Sequence, residues 1–392
     1  MMSDKAFIIE NVTVYAEQET IQNGYIKVEN GKIQAIGRAD NRAENHDVVY
    51  PTPKNLSLLP GMIDVHIHGV NGADTMDATP EALDVMAESL PREGTTSFLA
   101  TSITQKAHLL EKAMKNAGEY IHGKQQIGRA EVLGIHLEGP FLNAKRAGAQ
   151  PPHAILDPDI KLFKEWNELA QGTIKLVTLA PEKSDGVALV RYLSEQGIVA
   201  SIGHSDATYE EVVEAVENGA THVTHLFNGM RGLHHREPGV VGAALLSENL
   251  KAEVIADGHH VRPEMIQLAY KQKSDSGVIL ITDAMRAKCL KNGRYDLGGQ
   301  NVWVQDGKAI LKNGTLAGSV LKMNEALRNI QAFTGCTLKN AIKMAAENPA
   351  KQLEVYDRKG SIAAGKDADF ILLNDDGDVV MTFCKGQLAY TR

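Results

Sequence analysis

Six residues able to hold a divalent cation stand at the ends of separate strand-like runs: His66 and His68, Glu138, His204, His225 and Asp283. The first two close the stretch Leu59-Pro60-Gly61-Met62-Ile63-Asp64-Val65-His66-Ile67-His68. Side chains alternate between faces along a strand, so Asp64, His66 and His68 point one way and Ile63, Val65 and Ile67 the other. Two imidazoles on one face can grip a single ion. Glu138, His204 and His225 offer three ligands and leave a position open for water, while His66 and His68 offer a second site that Glu138 could bridge. Neutral imidazole and carboxylate suit zinc, iron(II), cobalt or manganese, and metal supply decides among them. A bound divalent ion lowers the pKa of water from about 15.7 to about 7 and so provides hydroxide near neutral pH. Asp283 has two possible roles, as a further ligand or as the general base that takes the water proton and delivers it to a leaving amine. The implied chemistry is metal-assisted hydrolysis of a C–N bond.

Residues so far apart in sequence meet only if the fold gathers its strand ends in one place. Eight apolar β runs are legible: Gly61–His68, Thr95–Thr101, Val132–Glu138, Ile174–Ala180, Ile198–His204, Ala220–His225, Lys251–Ala256 and Val278–Asp283. Helical stretches separate most of them. Thr79-Pro80 supplies a cap and a first-turn proline, and Thr208-x-x-Glu211 is a capping box before Val212, Val213 and Val216. This alternation predicts an α/β fold, a (β/α)8 TIM-type barrel over 59–350 whose strand C-termini carry the site. An open doubly wound sheet would not converge ligands from strands one, three, five, six and eight. The ends of the chain, 1–58 and 351–392, read as short strands with turns at Asn30-Gly31 and Asp376-Gly377. Neither buries a core alone, so they are expected to pair into one small β-sandwich. Residues 284–318 read as an insertion carrying a hairpin, Trp303 to Leu311, that overhangs the barrel mouth.

The remaining histidines are less informative. His136 shares the strand face of Glu138 one layer deeper and reads as a supporting core residue; His222 is out of phase with His225 and reads as structural. His46, His108, His122 and His153 receive no role. The net charge of −8 gives no basic footprint for nucleic acid. No run approaches the ~18 apolar residues of a membrane span. Three scattered cysteines and a polar N-terminus without an apolar signal core point to the cytoplasm. Gly360-Ser361-Ile362-Ala363-Ala364-Gly365-Lys366-Asp367 imitates a phosphate-binding loop, but its last position carries a carboxylate where magnesium needs a hydroxyl. It is not a nucleotide site.

The His66-x-His68 strand and the Gly365-Lys366-Asp367-Ala368-Asp369 tail resemble the amidohydrolase superfamily. More particular segments are Gly134-Ile135-His136-Leu137-Glu138-Gly139-Pro140-Phe141, Gly203-His204-Ser205-Asp206-Ala207-Thr208, Thr224-His225-Leu226-Phe227-Asn228-Gly229-Met230 and Ala256-Asp257-Gly258. With Arg236-Glu237-Pro238-Gly239 and Thr282-Asp283-Ala284, they resemble the N-acetylglucosamine-6-phosphate deacetylase family across essentially the whole chain. The resemblance implies that Glu138, His204 and His225 are metal ligands, that Asp283 is the catalytic acid/base, and that a phosphorylated amino sugar is the substrate. It implies sugar-phosphate contacts at Asn228 and Gly229, a sugar-binding His260, and pocket-lining residues Leu316, Ala317 and Gly318. It assigns Arg236 to the phosphate, supplied across a homodimer interface. The pair His66 and His68, missing in some members, predicts two ions per chain. Where the family often has a carbonyl-polarising histidine, this chain has Gln150 after Ala149, an uncharged donor that leaves more of the oxyanion to the metals. Competing readings are another amidohydrolase on the same site, such as a deaminase, dihydroorotase or dipeptidase, and an inactive barrel scaffold.

Overall fold

The computed structural model describes residues 6–41, 48–53 and 55–392, so the polar N-terminus and His46 lie outside the described residues. Eight parallel strands follow the runs read from the sequence. They are β1 (Met62–Ile67), β2 (Thr95–Thr101), β3 (Glu131–Glu138), β4 (Ile174–Leu179), β5 (Val199–Ile202), β6 (Ala220–Val223), β7 (Lys251–Ile255) and β8 (Val278–Ile281). Each pairs with the next in chain order. The ring closes from β8 to β1 by a bridge between Ile67 and Ala284, where Asp283 N donates to His66 O at 2.8 Å and His68 N donates to Ala284 O at 2.9 Å. Closure therefore happens at the residues of interest.

Strands such as Val278-Ile279-Leu280-Ile281 are buried throughout, as expected where one face fills the barrel and the other meets helices. The intervening helices are α1 (Pro80–Ser89), α2 (Ala107–Gly123), α3 (Ile160–Leu169), α4 (Gly186–Glu195), α5 (Tyr209–Glu217), α6 (Gly239–Leu246) and α7 (Pro263–Gly277), with α8 (Met323–Thr334) after the insertion. Thr79 caps α1 by accepting from Ala82 N, and the Thr208–Glu211 capping box of α5 is complete in both directions. In α2, Leu110, Ala113, Met114, Ala117 and Tyr120 recur at helical spacing and are buried.

Strands from both ends of the chain form one eight-stranded sheet. Ser57–Pro60 lies between the N-terminal Phe7–Tyr15, to which it is parallel, and the C-terminal Phe370–Leu373, to which it is antiparallel. Asn30 and Gly31 take φ of 51° and 74°, the left-handed pair that a tight hairpin requires. The sheet curls round its own core. Phe383 stacks on Phe370 at 4.7 Å and also on Phe7, on a strand it does not pair with, at 5.4 Å. Buried Lys359 ties this unit to the barrel through Glu131 at 2.8 Å and through Asp369, while Arg358 adds a bidentate pair to Glu131.

The insertion holds three antiparallel strands, Gly293–Leu297, Gln300–Gln305 and Lys308–Ile310. The hairpin read over 303–311 is its latter half. The first strand escaped notice because its side chains are mostly exposed and leave no apolar alternation. Gln105 Nε2 donates to Gly298 O and Gln300 Nε2 to Ala149 O, both at 2.6 Å, pinning the insertion to loops beyond β2 and β3. Among the described residues, no helix is long and apolar enough to cross a membrane.

Candidate active site

Three of the candidate residues stand just beyond their strands, in backbone conformations that side chains rarely adopt. β5 ends at Ile202, β6 at Val223 and β8 at Ile281, two residues before His204, His225 and Asp283. Those three have φ of 48°, 30° and 48°. A left-handed turn costs a non-glycine residue on the order of 1–3 kcal/mol and persists only where surrounding contacts impose it. Here it marks where each strand releases its last side chain over the barrel mouth.

Glu138, His204 and His225 form one cluster. His204 Nδ1 lies 2.8 Å from Arg146 O and His225 Nδ1 lies 3.1 Å from Asn228 O. A carbonyl only accepts, so each Nδ1 carries a proton, and in the neutral ring that binds a metal each Nε2 presents a lone pair. Those Nε2 atoms are 3.1 Å apart, and each is 3.2 Å from Glu138 Oε1. Three acceptors facing one another without a proton between them repel unless a cation lies among them. The donor set therefore fits a divalent ion of borderline hardness.

His66, His68 and Asp283 form an adjoining cluster. His66 Nδ1 meets Glu253 Oε2 at 2.9 Å, while its buried Nε2, without a hydrogen-bond partner, lies 3.5 Å from Asp283 Oδ1 and 3.6 Å from Glu138 Oε1. His68 Nε2 is 3.1 Å from Asp283 Oδ1 and 3.4 Å from Glu138 Oε2. Glu138 thus faces both clusters: Oε1 turns toward His204, His225 and His66, and Oε2 toward His68.

A cavity of about 260 Å³ opens above these atoms. Of the residues read from the sequence, His68, Glu138, Ala149, Gln150, His204, His225, Asn228, Gly229, His260, Asp283, Leu316 and Gly318 line it. His66 lies buried beneath. Ala317 is also buried and packs into the core of the insertion instead. Arg236 is exposed on the loop after β6, away from the lining, and its guanidinium donates to His235 Nε2 at 2.7 Å. Gln150 is occupied at both ends of its amide: Nε2 donates to Glu138 Oε2 at 2.7 Å and Oε1 accepts from Thr104 N at 2.9 Å. It thereby braces Glu138 from the cavity wall. His136 and His222 sit below, the former between Val65 O and Thr178 Oγ1, the latter against Glu253.

Two supporting carboxylates received no role from the sequence, Asp257 being quoted only within a motif and Glu253 not at all. Asp257 accepts from His260 Nδ1 at 2.6 Å and from the backbone N–H groups of His259 and His260, fixing the ring at the cavity wall. Burial is outweighed by Asp257, which raises the pKa of His260. Glu253 holds three donors beneath the site.

A closed parallel barrel with imidazoles and carboxylates gathered at its strand C-termini defines an amidohydrolase. The amidohydrolase family model matches residues 57–389, and the chain belongs to that family. Within it, the chain falls among the N-acetylglucosamine-6-phosphate deacetylases. The enzyme of that name from Bacillus subtilis (strain 168) is 47% identical over 387 residues, 98% of each chain. An N-acetylgalactosamine-6-phosphate deacetylase of Escherichia coli O157:H7 is 39% identical over 333 residues, 85% of this chain and 87% of the relative. A solved structure of a mutant N-acetyl-D-glucosamine-6-phosphate deacetylase from Mycobacterium smegmatis, in complex with N-acetyl-D-glucosamine-6-phosphate, superposes with a TM-score of 0.92. It is 29% identical, and the match covers 99% of this chain and 100% of that one.

Proposed function

We propose that this chain hydrolyses the amide of N-acetyl-D-glucosamine 6-phosphate, releasing acetate and D-glucosamine 6-phosphate, a step of amino-sugar catabolism and cell-wall sugar recycling. The carrying observation is the meeting of Glu138 Oε1 with the unprotonated Nε2 atoms of His204 and His225 under a cavity of sugar size. These three residues would hold one divalent ion, and His66 and His68 another, with Glu138 shared between the two; zinc, iron, manganese or cobalt all suit the set. Such ions supply Lewis acidity toward the amide carbonyl and toward a water molecule.

The chain's own residues do the rest. Asp283, at the cavity wall, takes the proton of the attacking water and passes it to the departing amine nitrogen. His260, oriented by Asp257, presents Nε2 to the sugar. Asn228 and Gly229 border the sugar phosphate. Arg236 reaches the phosphate of a neighbouring subunit in a homodimer, which suits its exposure and the bidentate fit of guanidinium to phosphate. The cysteines Cys289, Cys336 and Cys384 are all free, in keeping with a cytoplasmic enzyme.

Acetate release from N-acetylglucosamine 6-phosphate, the unphosphorylated sugar and the galactosamine epimer tests this reading. A marked preference for the phosphorylated glucosamine substrate is expected. Equal cleavage with and without phosphate would remove the phosphate assignment, and preference for the epimer would change the sugar.

A further inference from the structure

Glu253 stands at the middle of β7 with its carboxylate inside the barrel, fully buried, and it does not line the cavity. Its contacts all lead to the site. Oε2 meets His66 Nδ1 at 2.9 Å and accepts from His225 N at 3.0 Å, while Oε1 meets His222 Nε2 at 3.1 Å. Substrate cannot touch it.

We infer that Glu253 is the positioning residue that commits His66 to metal binding and so makes the second ion site. The inference rests on the two-ion reading above. An ionised carboxylate only accepts, so the proton on the His66 ring is fixed at Nδ1, and Nε2 faces Glu138 and Asp283 as a lone pair. A carboxylate behind a metal-bound imidazole also raises the basicity of the ligating nitrogen, and removing such a partner typically costs about 10–100-fold in metal affinity. The two ion sites depend on Glu253 unequally. The His225 ring is already fixed by Asn228 O, so Glu253 serves only its backbone N–H, helping to impose the turn at φ 30°. Among the described residues nothing else fixes the tautomer of His66, and His68 Nδ1 has no partner of its own. His222 completes the cradle by donating to the other oxygen, so a single charge serves three residues.

The test is titration of the metal-stripped full-length protein with cobalt(II) alone, followed by its visible absorption and by ions bound per chain. Wild type should take two ions in two phases, and a His68→Ala variant identifies the phase that belongs to the His66–His68 site. In Glu253→Gln, close in shape but neutral, that phase should weaken by about tenfold or more while the other stays within about twofold. In Glu253→Leu it should vanish. An unchanged second phase in Glu253→Gln overturns the inference, whether or not the leucine variant folds. Wild type binding a single ion overturns the two-ion reading and this inference together, an outcome visible before any variant is made.

Discussion

His204 Nε2 and His225 Nε2 stand 3.1 Å apart, with their rings at 90° and with both protons committed to carbonyls on the far side. Two lone pairs held in that opposition favour a cation between them and penalise its absence. A chelator should therefore abolish acetate release and lower the melting temperature, and returned zinc or cobalt should restore both. At 100 times its Kd, an ion binding only the folded state adds about 2.7 kcal/mol, a shift of several degrees in differential scanning fluorimetry. A melting temperature indifferent to chelator and metal would show that no cation relieves this contact.

Asp283→Asn keeps the shape of the side chain and removes its basicity. The variant should retain its metal and lose about 10²–10⁴-fold in kcat, the usual range for general acid–base catalysis. Steady-state rates with metal analysis on the same sample decide it. Normal turnover would take the proton-transfer role away from Asp283.

Much of this arrangement was legible because buried parallel strands read as apolar runs, and ligands at their ends stand out against that background. The chain could not show that His204, His225 and Asp283 turn into left-handed backbone after the ladder ends, since neighbouring strands impose that conformation. Glu253 was hidden for another reason. In Lys251-Ala252-Glu253-Val254-Ile255 a lone acid resembles the polar side of a half-exposed strand, and only the closed barrel brings it to His66 and His222. Gln150 was found by its place in the chain, but its contacts with Glu138 and Thr104 were not legible there, because they join loops distant in sequence.

Arg236 does not line the cavity, so the phosphate contact proposed for it across a homodimer should contribute to binding. Arg236→Ala is expected to raise KM for the phosphorylated sugar by about 10–100-fold with little change in kcat, the cost of losing a charged hydrogen bond. It should also narrow the difference between phosphorylated and unphosphorylated substrates. A loss confined to kcat would contradict the assignment.

The clasp between barrel and terminal sheet should show itself in acid. Burial resists charge on Glu131, but Lys359 and Arg358 prevail and hold its carboxyl down at about 2, against 4.5 for a free glutamate. A depressed folded-state value means that the unfolded chain takes up the proton first. The stabilisation is complete above about pH 4.5 and is lost as pH falls toward 2, on the order of 3 kcal/mol at most. Glu131→Gln should flatten that part of a curve of urea stability against pH while leaving the slope above pH 5 unchanged. An identical acid limb in both proteins would show that the clasp carries no such linkage.

The most direct measurement joins metal content to chemistry in one preparation: ions bound per chain and acetate released from N-acetylglucosamine 6-phosphate by the purified protein. About two ions with brisk acetate release is the expected result. Metal bound without acetate release would leave the barrel and its ion site intact and would contradict the proposed substrate. Acetate release undiminished after complete removal of metal would contradict the proposed chemistry of Glu138, His204 and His225.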